Sequence, residues 1–178
     1  MEQKVNVWKA NITNGLIMGM AAVIYSLVIY FTDLIFNKAQ GYIFMIIQIA
    51  LLAYLVKSYR DNSLFGRITY GQAVGAGVII CLYCAIVATA FQYLLYSVID
   101  TGLIAKQIAF AEETMQAKGL PQETIDAAMK VQQKLITPGF IAIMGIFGNM
   151  FWGTIMSLAV AMFVKKAGNP LADTPTDL

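Results

Sequence analysis

The 178-residue sequence contains no histidine and only two cysteines, and charged residues make up just 12% of it. The absence of histidine removes the commonest metal ligand and the commonest acid–base side chain near neutral pH. Two cysteines are too few for a tetrahedral zinc site without histidine. The net charge is only +2, and no basic run is longer than Lys165-Lys166. These features argue against a metal centre and against a nucleic-acid partner.

Charge is missing altogether from four long stretches, residues 10–32, 39–56, 68–99 and 135–164, and hydrophobic residues make up 59% of the chain. A helix of about 20 apolar residues spans a hydrocarbon core of roughly 30 Å. We therefore predict an all-α membrane protein with transmembrane helices at residues 12–34, 40–57, 70–99 and 138–164. The chain, 1–178, then forms a single domain surrounded by membrane lipids, and residues 167–178 are predicted to be a short disordered tail.

The positions of lysine and arginine predict the orientation, because these residues concentrate in cytoplasmic loops. Seven of them fall on one side of the four predicted spans: Lys4, Lys9, Lys57, Arg60, Arg67, Lys165 and Lys166. The one short segment on the other side holds Lys38, and the long loop after the third span is nearly neutral. Both termini are therefore predicted to face the cytosol. A re-entrant second segment would place the basic segments on opposite sides and is disfavoured.

The loop between the third and fourth spans, residues 101–137, has a helical pattern of its own. Apolar residues recur at helical spacing on both sides of Lys118-Gly119-Leu120-Pro121, which is typical of one helix ending and another beginning. Gly102 and Pro138 break the chain at the two ends of this loop. We predict an extracytoplasmic αα-hairpin with hinges at Gly102 and Pro138, which either extends the third and fourth spans outward or folds down onto the outer membrane surface. Its narrow apolar stripe favours the outward extension.

Glycines at short spacing mark candidate contact faces on three predicted spans: Gly15, Gly19, Gly71, Gly75, Gly145 and Gly148. In lipid, helices associate through close backbone approach at small residues. These faces can serve packing within this chain, docking against the helix of a partner membrane protein, or assembly of a homo-oligomer.

Three uncharged polar residues, Gln48, Gln92 and Asn149, are candidates for polar contacts inside the membrane. Each is costly in hydrocarbon, so each indicates either hydrogen bonding between helices or contact with a substrate. Asn149 is the best placed for a buried contact, with Gln92 or Gln48 as its partner. No acidic residue lies near the middle of a predicted span, which argues against a proton or cation relay.

Cys81 and Cys84 form a Cys-x-x-Cys pair inside the third predicted span. Membrane oxidoreductases that pass electrons from thiols to quinones use such pairs near the outer surface, where a soluble partner reaches them. A thiol in apolar surroundings is a poor nucleophile, and the chain has no second pair to relay electrons. We therefore expect these cysteines to be packing residues. The sequence predicts no catalytic, cofactor-binding or metal-binding residues.

Several segments together resemble a known family: Ile68-Thr69-Tyr70-Gly71-Gln72-Ala73, Phe91-Gln92-Tyr93, Val98-Ile99-Asp100, the segment MQAKGLPQE at 115–123, and Lys165-Lys166. They resemble the DUF4199 family of four-helix membrane proteins from Bacteroidota, whose function is unknown. The Tyr-Gly-Gln motif and the hairpin are the most specific parts. The resemblance implies a bacterial inner-membrane location with the hairpin in the periplasm. It implies no activity.

Three hypotheses about function follow. The favoured one is a non-enzymatic accessory or structural subunit of a larger membrane complex for transport or protein export, because the chain is small, glycine-faced and carries a protruding hairpin. The second is a small homo-oligomeric carrier or channel with Gln48, Gln92 and Asn149 in a central cavity. The third, a thiol oxidoreductase, depends on Cys81 and Cys84 alone.

Overall fold

The computed structural model describes residues 6–166, apart from the side chain of Lys38, and its longer elements are all helices. They are α1 (Val7–Phe31), α2 (Lys38–Ser63), α3 (Tyr70–Leu94), α4 (Leu103–Ala117), α5 (Gln122–Leu135) and α6 (Pro138–Val164). A π-helical turn, Leu95–Ile99, continues α3. The predicted tail, 167–178, lies outside the described residues.

Four of these helices are long and apolar enough to cross a membrane: Val7–Phe31, Ala39–Ser63, Tyr70–Ile99 and Pro138–Val164. The predicted all-α fold with four membrane-spanning helices is confirmed. α1 begins five residues before the predicted span, and α2 continues six residues beyond it, past Lys57 and Arg60. α2 is therefore 26 residues long, which is enough for a full crossing at 1.5 Å per residue.

Side chains next to the helix ends explain why α3 and α6 begin where they do. Thr69 Oγ1 accepts a hydrogen bond from the Gln72 amide at 3.3 Å, and Gln72 Oε1 accepts one from the Thr69 amide at 3.0 Å. At the start of α6, Thr137 Oγ1 accepts from the Phe140 amide at 3.2 Å, and Pro138 occupies the first turn. These contacts satisfy backbone N–H groups that have no partner within the helix.

α1 packs along α3, in parallel, through two glycines. Gly15 lies directly against Tyr83, and a Cβ added to Gly19 would lie only 2.7 Å from the Cβ of Val87. The missing side chains therefore allow the two backbones to approach closely, which is how helices associate in lipid.

α6 packs along the opposite side of α3, in an antiparallel direction. A Cβ at Gly77 would lie 2.6 Å from Ser157 Oγ, and a Cβ at Gly153 would lie 2.6 Å from the Cβ of Cys81. Because the helices are antiparallel, a step of one turn toward the C-terminus of α3 matches a step of one turn toward the N-terminus of α6. The same register therefore brings Thr89 opposite Gly145. This register positions the polar residues described below.

We call the bundle end that holds residues 60–70 and 164–166 the terminal end, and the other the hairpin end. At the terminal end, Arg60 Nη1 donates a 3.0 Å hydrogen bond to the carbonyl of Val164, the last residue of α6. Ile68 and Lys166 exchange two backbone hydrogen bonds of 3.0 Å each. These contacts tie α2 and the α2–α3 loop to the end of α6.

α4 and α5 form an αα-hairpin whose arms pack on each other, with Ile125 and Met129 of α5 buried. Gly119, in the turn between them, has a φ of +70°, a conformation that favours glycine. In the middle of α4, Phe110 stacks on Phe36 of the α1–α2 loop, with ring centroids 4.8 Å apart. The extracytoplasmic location of the hairpin, its outward extension and its hinges stay predictions.

Candidate ligand-binding cavity

A cavity of about 290 Å³ lies between α1, α2, α3 and α6 in the hairpin half of the bundle. Its polar lining residues come from five different helices and the π turn: Tyr25, Ser26, Gln40, Gln48, Gln92, Tyr96, Gln107 and Asn149. Leu103 and Gln107 of α4 also line it, so the base of the hairpin covers its hairpin end. The volume is at the lower end of the range of small-molecule sites, roughly 300–1,000 Å³.

The cavity reaches about half-way through the spanning helices. Gln48 lies ten residues after the start of α2, and Asn149 lies eleven residues after the start of α6. At a rise of 1.5 Å per residue both lie about 15 Å from the hairpin end, near half of a hydrocarbon thickness of roughly 30 Å. The sequence-predicted polar residues Gln48, Gln92 and Asn149 therefore share one cavity.

Two of the three amide side chains make no hydrogen bond with any other part of the described chain. Asn149 Nδ2 donates to the carbonyl of Gly145 in its own helix at 2.9 Å, so the expected bond from Asn149 to Gln92 or Gln48 is not formed. Neither the Gln48 nor the Gln92 side chain has a hydrogen-bond partner within residues 6–166. A polar group at membrane depth without a partner is costly. Water or a ligand in the cavity would satisfy both.

The rest of the lining is uncharged and consists of aliphatic and aromatic side chains. Tyr25 stacks on Phe44 with ring centroids 4.8 Å apart, and its hydroxyl donates to the backbone carbonyl of Gln40 at 2.6 Å. Gln107 Nε2 donates to Tyr96 Oη at 2.7 Å, which joins α4 to the π turn. No Asp, Glu, Lys or Arg is among the described residues that line the cavity. Its chemistry therefore suits an uncharged ligand that forms hydrogen bonds.

Asp100 holds the base of the hairpin beside this cavity. Its Oδ2 accepts from Lys106 Nζ at 3.1 Å and from Tyr30 Oη at 3.4 Å, and its Oδ1 accepts from the Gly102 amide at 3.0 Å. The Lys106 ammonium holds the pKa of the Asp100 carboxyl below its ordinary value, with smaller contributions from Gly102 and Tyr30. Asp100 thereby joins the ends of α1 and α3 to the start of α4.

Gly145 lies at the contact between α3 and α6, next to residues that line the cavity. A Cβ added there would lie 3.4 Å from Gln92 Oε1 and 3.6 Å from Thr89 Oγ1. Gln92 lines the cavity, whereas Thr89 lines a separate groove on the outside of the bundle. α6 therefore packs closely against both side chains at this level.

The six predicted contact glycines divide into two groups. Gly15 and Gly19 are buried against α3, and Gly145 faces Gln92 and Thr89. Gly71, Gly75 and Gly148 have no other atom within 4 Å of where a side chain would begin, apart from their own helix and chain neighbours. At the hairpin base, the predicted hinge Gly102 is the N-cap of α4, and Pro138 is the first residue of α6.

The two cysteines lie outside the cavity. Cys81 and Cys84 are free and buried in the helix core, and neither is among the residues that line it. Cys81 Sγ lies 3.9 Å from the carbonyl oxygen of Gly153, at the closest approach of α3 and α6. Their position is that of packing residues.

Sequence reasoning missed the aromatic and hairpin-derived part of the lining. Tyr96 lies within the π turn and is buried over the cavity. Gln107 belongs to the hairpin, and only folding brings it over the spanning helices. The sequence gives only a weak indication that Tyr25 and Gln40 line a cavity, because each is simply a polar residue inside or beside a charge-free stretch.

The fold and the cavity define a multi-pass α-helical membrane protein with an uncharged polar cavity between its spanning helices. The chain belongs to the family described as protein of unknown function (DUF4199), whose model matches residues 13–166. The resemblance seen in the sequence is thereby confirmed. Searches of curated proteins and of solved structures found no match.

Proposed function

We propose that this protein binds a small, uncharged, hydrogen-bonding ligand in the cavity between its spanning helices. The observation that carries the proposal is the pair of amides, Gln48 and Gln92, that face the cavity at membrane depth without a protein partner. A side-chain amide presents two donors and one acceptor oxygen. Gln48 and Gln92 are half-exposed, so their amides are open to this space, and such a group left without a partner in hydrocarbon costs about 1–3 kcal/mol. Two such residues on different helices around one space are better explained by a ligand or by ordered water than by packing.

The chemistry of the lining supports a neutral ligand. Gln48, Gln92 and Asn149 offer donors and acceptors, and the stacked pair Tyr25 and Phe44 offers an apolar face. Small-molecule sites commonly combine a largely apolar wall with a few placed polar groups. The described lining residues include no carboxylate, thiol or imidazole, which supports binding or transport, not catalysis.

In the proposed topology both termini face the cytosol, and the cavity opens toward the side that bears the hairpin. Leu103 and Gln107 lie over this end, so displacement of α4 would expose the cavity. Release toward the other side would make the protein a small carrier. Carrier activity is thus one version of the proposed ligand binding. The predicted inner-membrane location and assembly as a homo-oligomer remain part of the proposal.

The proposal is tested by thermal unfolding of the purified protein in mild detergent with a panel of uncharged compounds: polyols, monosaccharides, small amides, monoacylglycerols and quinols. A ligand at one hundred times its Kd stabilises the folded state by about 2.7 kcal/mol. We expect at least one compound to raise the Tm of the wild type but not that of the Gln48→Leu/Gln92→Leu variant. Gln133→Leu, at an exposed position of α5, is the control and should respond like the wild type. Equal responses of all three proteins would refute binding in the cavity.

A second candidate is the accessory subunit favoured by the sequence. The observation in its favour is that Gly71, Gly75 and Gly148 lie open on the described surface of α3 and α6, where a partner helix could approach. Purification of the tagged protein in mild detergent tests it. A reproducible companion that is lost when Gly148 is replaced by Leu supports this role, and a lone monodisperse species at every expression level contradicts it.

A further inference from the structure

The terminal end of the bundle carries an excess of positive charge. Among the described residues it has Asp61 as its single acidic residue and six cationic ones: Lys9, Lys57, Arg60, Arg67, Lys165 and Lys166. Lys57 lies 19 residues after the start of α2, which places it about 28 Å from the hairpin end at 1.5 Å per residue. Because the hydrocarbon core is roughly 30 Å thick, Lys57 and the cations beyond it lie at the level of the lipid head groups.

Three of these cations surround Asp61. Arg60 Nε and Nη2 donate to the two carboxylate oxygens of Asp61 at 2.7 and 3.2 Å, and Arg60 Nη1 donates to the carbonyl of Val164 at 3.0 Å. Lys57, one turn earlier on α2, and Lys166, just after α6, lie close enough to interact electrostatically with the same carboxylate. The ion pairs of the described residues include neither lysine, and both are exposed. The cluster therefore presents two uncompensated ammonium groups.

An exposed aromatic residue lies beside this cluster. Phe65, in the α2–α3 loop, is 95% exposed and has a φ of +52°, which is uncommon for a bulky residue. Gly66 follows it, and the Gly66 amide donates to the carbonyl of Arg60 at 3.0 Å, which folds the loop back onto α2. This contact holds Phe65 at the level of Arg60. An apolar ring next to lysine side chains suits the boundary between lipid head groups and acyl chains.

We propose that the terminal end binds an anionic phospholipid. Lys57 and Lys166 contact its phosphate, and Phe65 contacts the nearest methylene groups of its acyl chains. Clustered basic residues next to a spanning helix attract anionic lipids, and the exposed ring favours a lipid over a soluble anion, which has no hydrocarbon to offer it. This site is independent of the cavity, which lies in the hairpin half of the bundle.

The experiment compares two lipids that share their acyl chains and differ in head-group charge, dioleoylphosphatidylglycerol and dioleoylphosphatidylcholine. The purified full chain is equilibrated with mixed micelles that contain equal amounts of both, washed in detergent, and examined by native mass spectrometry. The wild type should retain phosphatidylglycerol in preference. Lys57→Gln/Lys166→Gln should lower the ratio of retained phosphatidylglycerol to phosphatidylcholine at least about tenfold.

The matched control, Lys130→Gln/Lys134→Gln, removes two exposed lysines from α5 and changes the net charge equally, so its ratio should equal that of the wild type. Phe65→Ala, at an exposed position, should lower the retention of phosphatidylglycerol and leave the fold intact.

Three results would overturn the proposal. The first is a wild-type ratio that Lys57→Gln/Lys166→Gln leaves unchanged. The second is an equal loss in the α5 control, which would show that only net charge matters. The third is preferential retention that appears only after residues 168–178 are removed, which would identify this segment, with its acidic Asp173 and Asp177, as the occupant in the full chain.

Discussion

The antiparallel register of α3 and α6 positions Gln92 and Asn149 around the cavity, and one substitution tests this register directly. Gly153→Ala would place a Cβ 2.6 Å from the Cβ of Cys81 and 3.0 Å from its Sγ. Carbon atoms prefer a separation of about 3.5–4.0 Å, so the two helices must part by about 1 Å. Overpacking of this kind costs about 1–3 kcal/mol.

Gly148→Ala provides the matched control on the same helix, because nothing lies within 4 Å of its new side chain. Both substitutions gain the same helix propensity, so the difference between their unfolding free energies isolates the clash. We expect Gly153→Ala to be less stable than Gly148→Ala by about 1–3 kcal/mol, measured by SDS titration in mixed micelles with circular dichroism.

A double-mutant cycle identifies the partner of Gly153. Cys81→Gly removes the Cβ that a methyl group introduced at position 153 would strike, so the two changes together should cost less than the sum of their separate effects by at least about 1 kcal/mol. The reasoning is refuted if Gly153→Ala is as stable as Gly148→Ala, or if the effects of Gly153→Ala and Cys81→Gly simply add.

Two further predictions follow. Water in the cavity satisfies the half-exposed amides of Gln48 and Gln92, so Gln48→Leu/Gln92→Leu should change the unfolding free energy of the ligand-free protein by less than about 1 kcal/mol; a stabilisation of about 1–3 kcal/mol, the cost of unsatisfied amides, would contradict a hydrated cavity. Asp100 has a depressed pKa, so its stabilising contacts with Lys106 and Tyr30 are fully present above the unfolded pKa of about 3.9 and are lost as the pH falls through the folded value. The Tm difference between the wild type and Asp100→Asn should therefore stay constant from pH 7 to about pH 4 and shrink below that; a difference that changes between about pH 7 and pH 5 would contradict this assignment.

The parts of the fold that could be predicted from the sequence depend on local interactions or on length. The charge-free stretches predict four spanning helices, because a bilayer sets both the length and the apolarity that a helix needs. The turn at Gly119 and the starts of α3 and α6 were also predictable. Thr69, Gln72, Thr137 and Gly119 act on backbone groups a few residues away.

The cavity could be predicted only in part, because it depends on how helices rotate against one another. The sequence selects Gln48, Gln92 and Asn149, but it does not show that two of them stay unpartnered. The π turn 95–99 changes the helical period at Tyr96, so the regular spacing of the sequence does not predict that this side chain lines the cavity. Glycine spacing likewise marks contact faces without showing which are covered.

The central claim is that Gln48 faces a hydrated cavity, and a thiol at this position tests it most directly. In a Cys81→Ala/Cys84→Ala background, Gln48→Cys is compared with Ile46→Cys, an exposed α2 residue at similar depth that should face lipid. Reaction with the small uncharged reagent N-ethylmaleimide needs a thiolate, which forms in water and not in hydrocarbon. Labelling of residue 48 at least about tenfold faster than of residue 46 is the expected result. Equal rates, or a residue 48 that does not react, would show that no water-accessible site exists there.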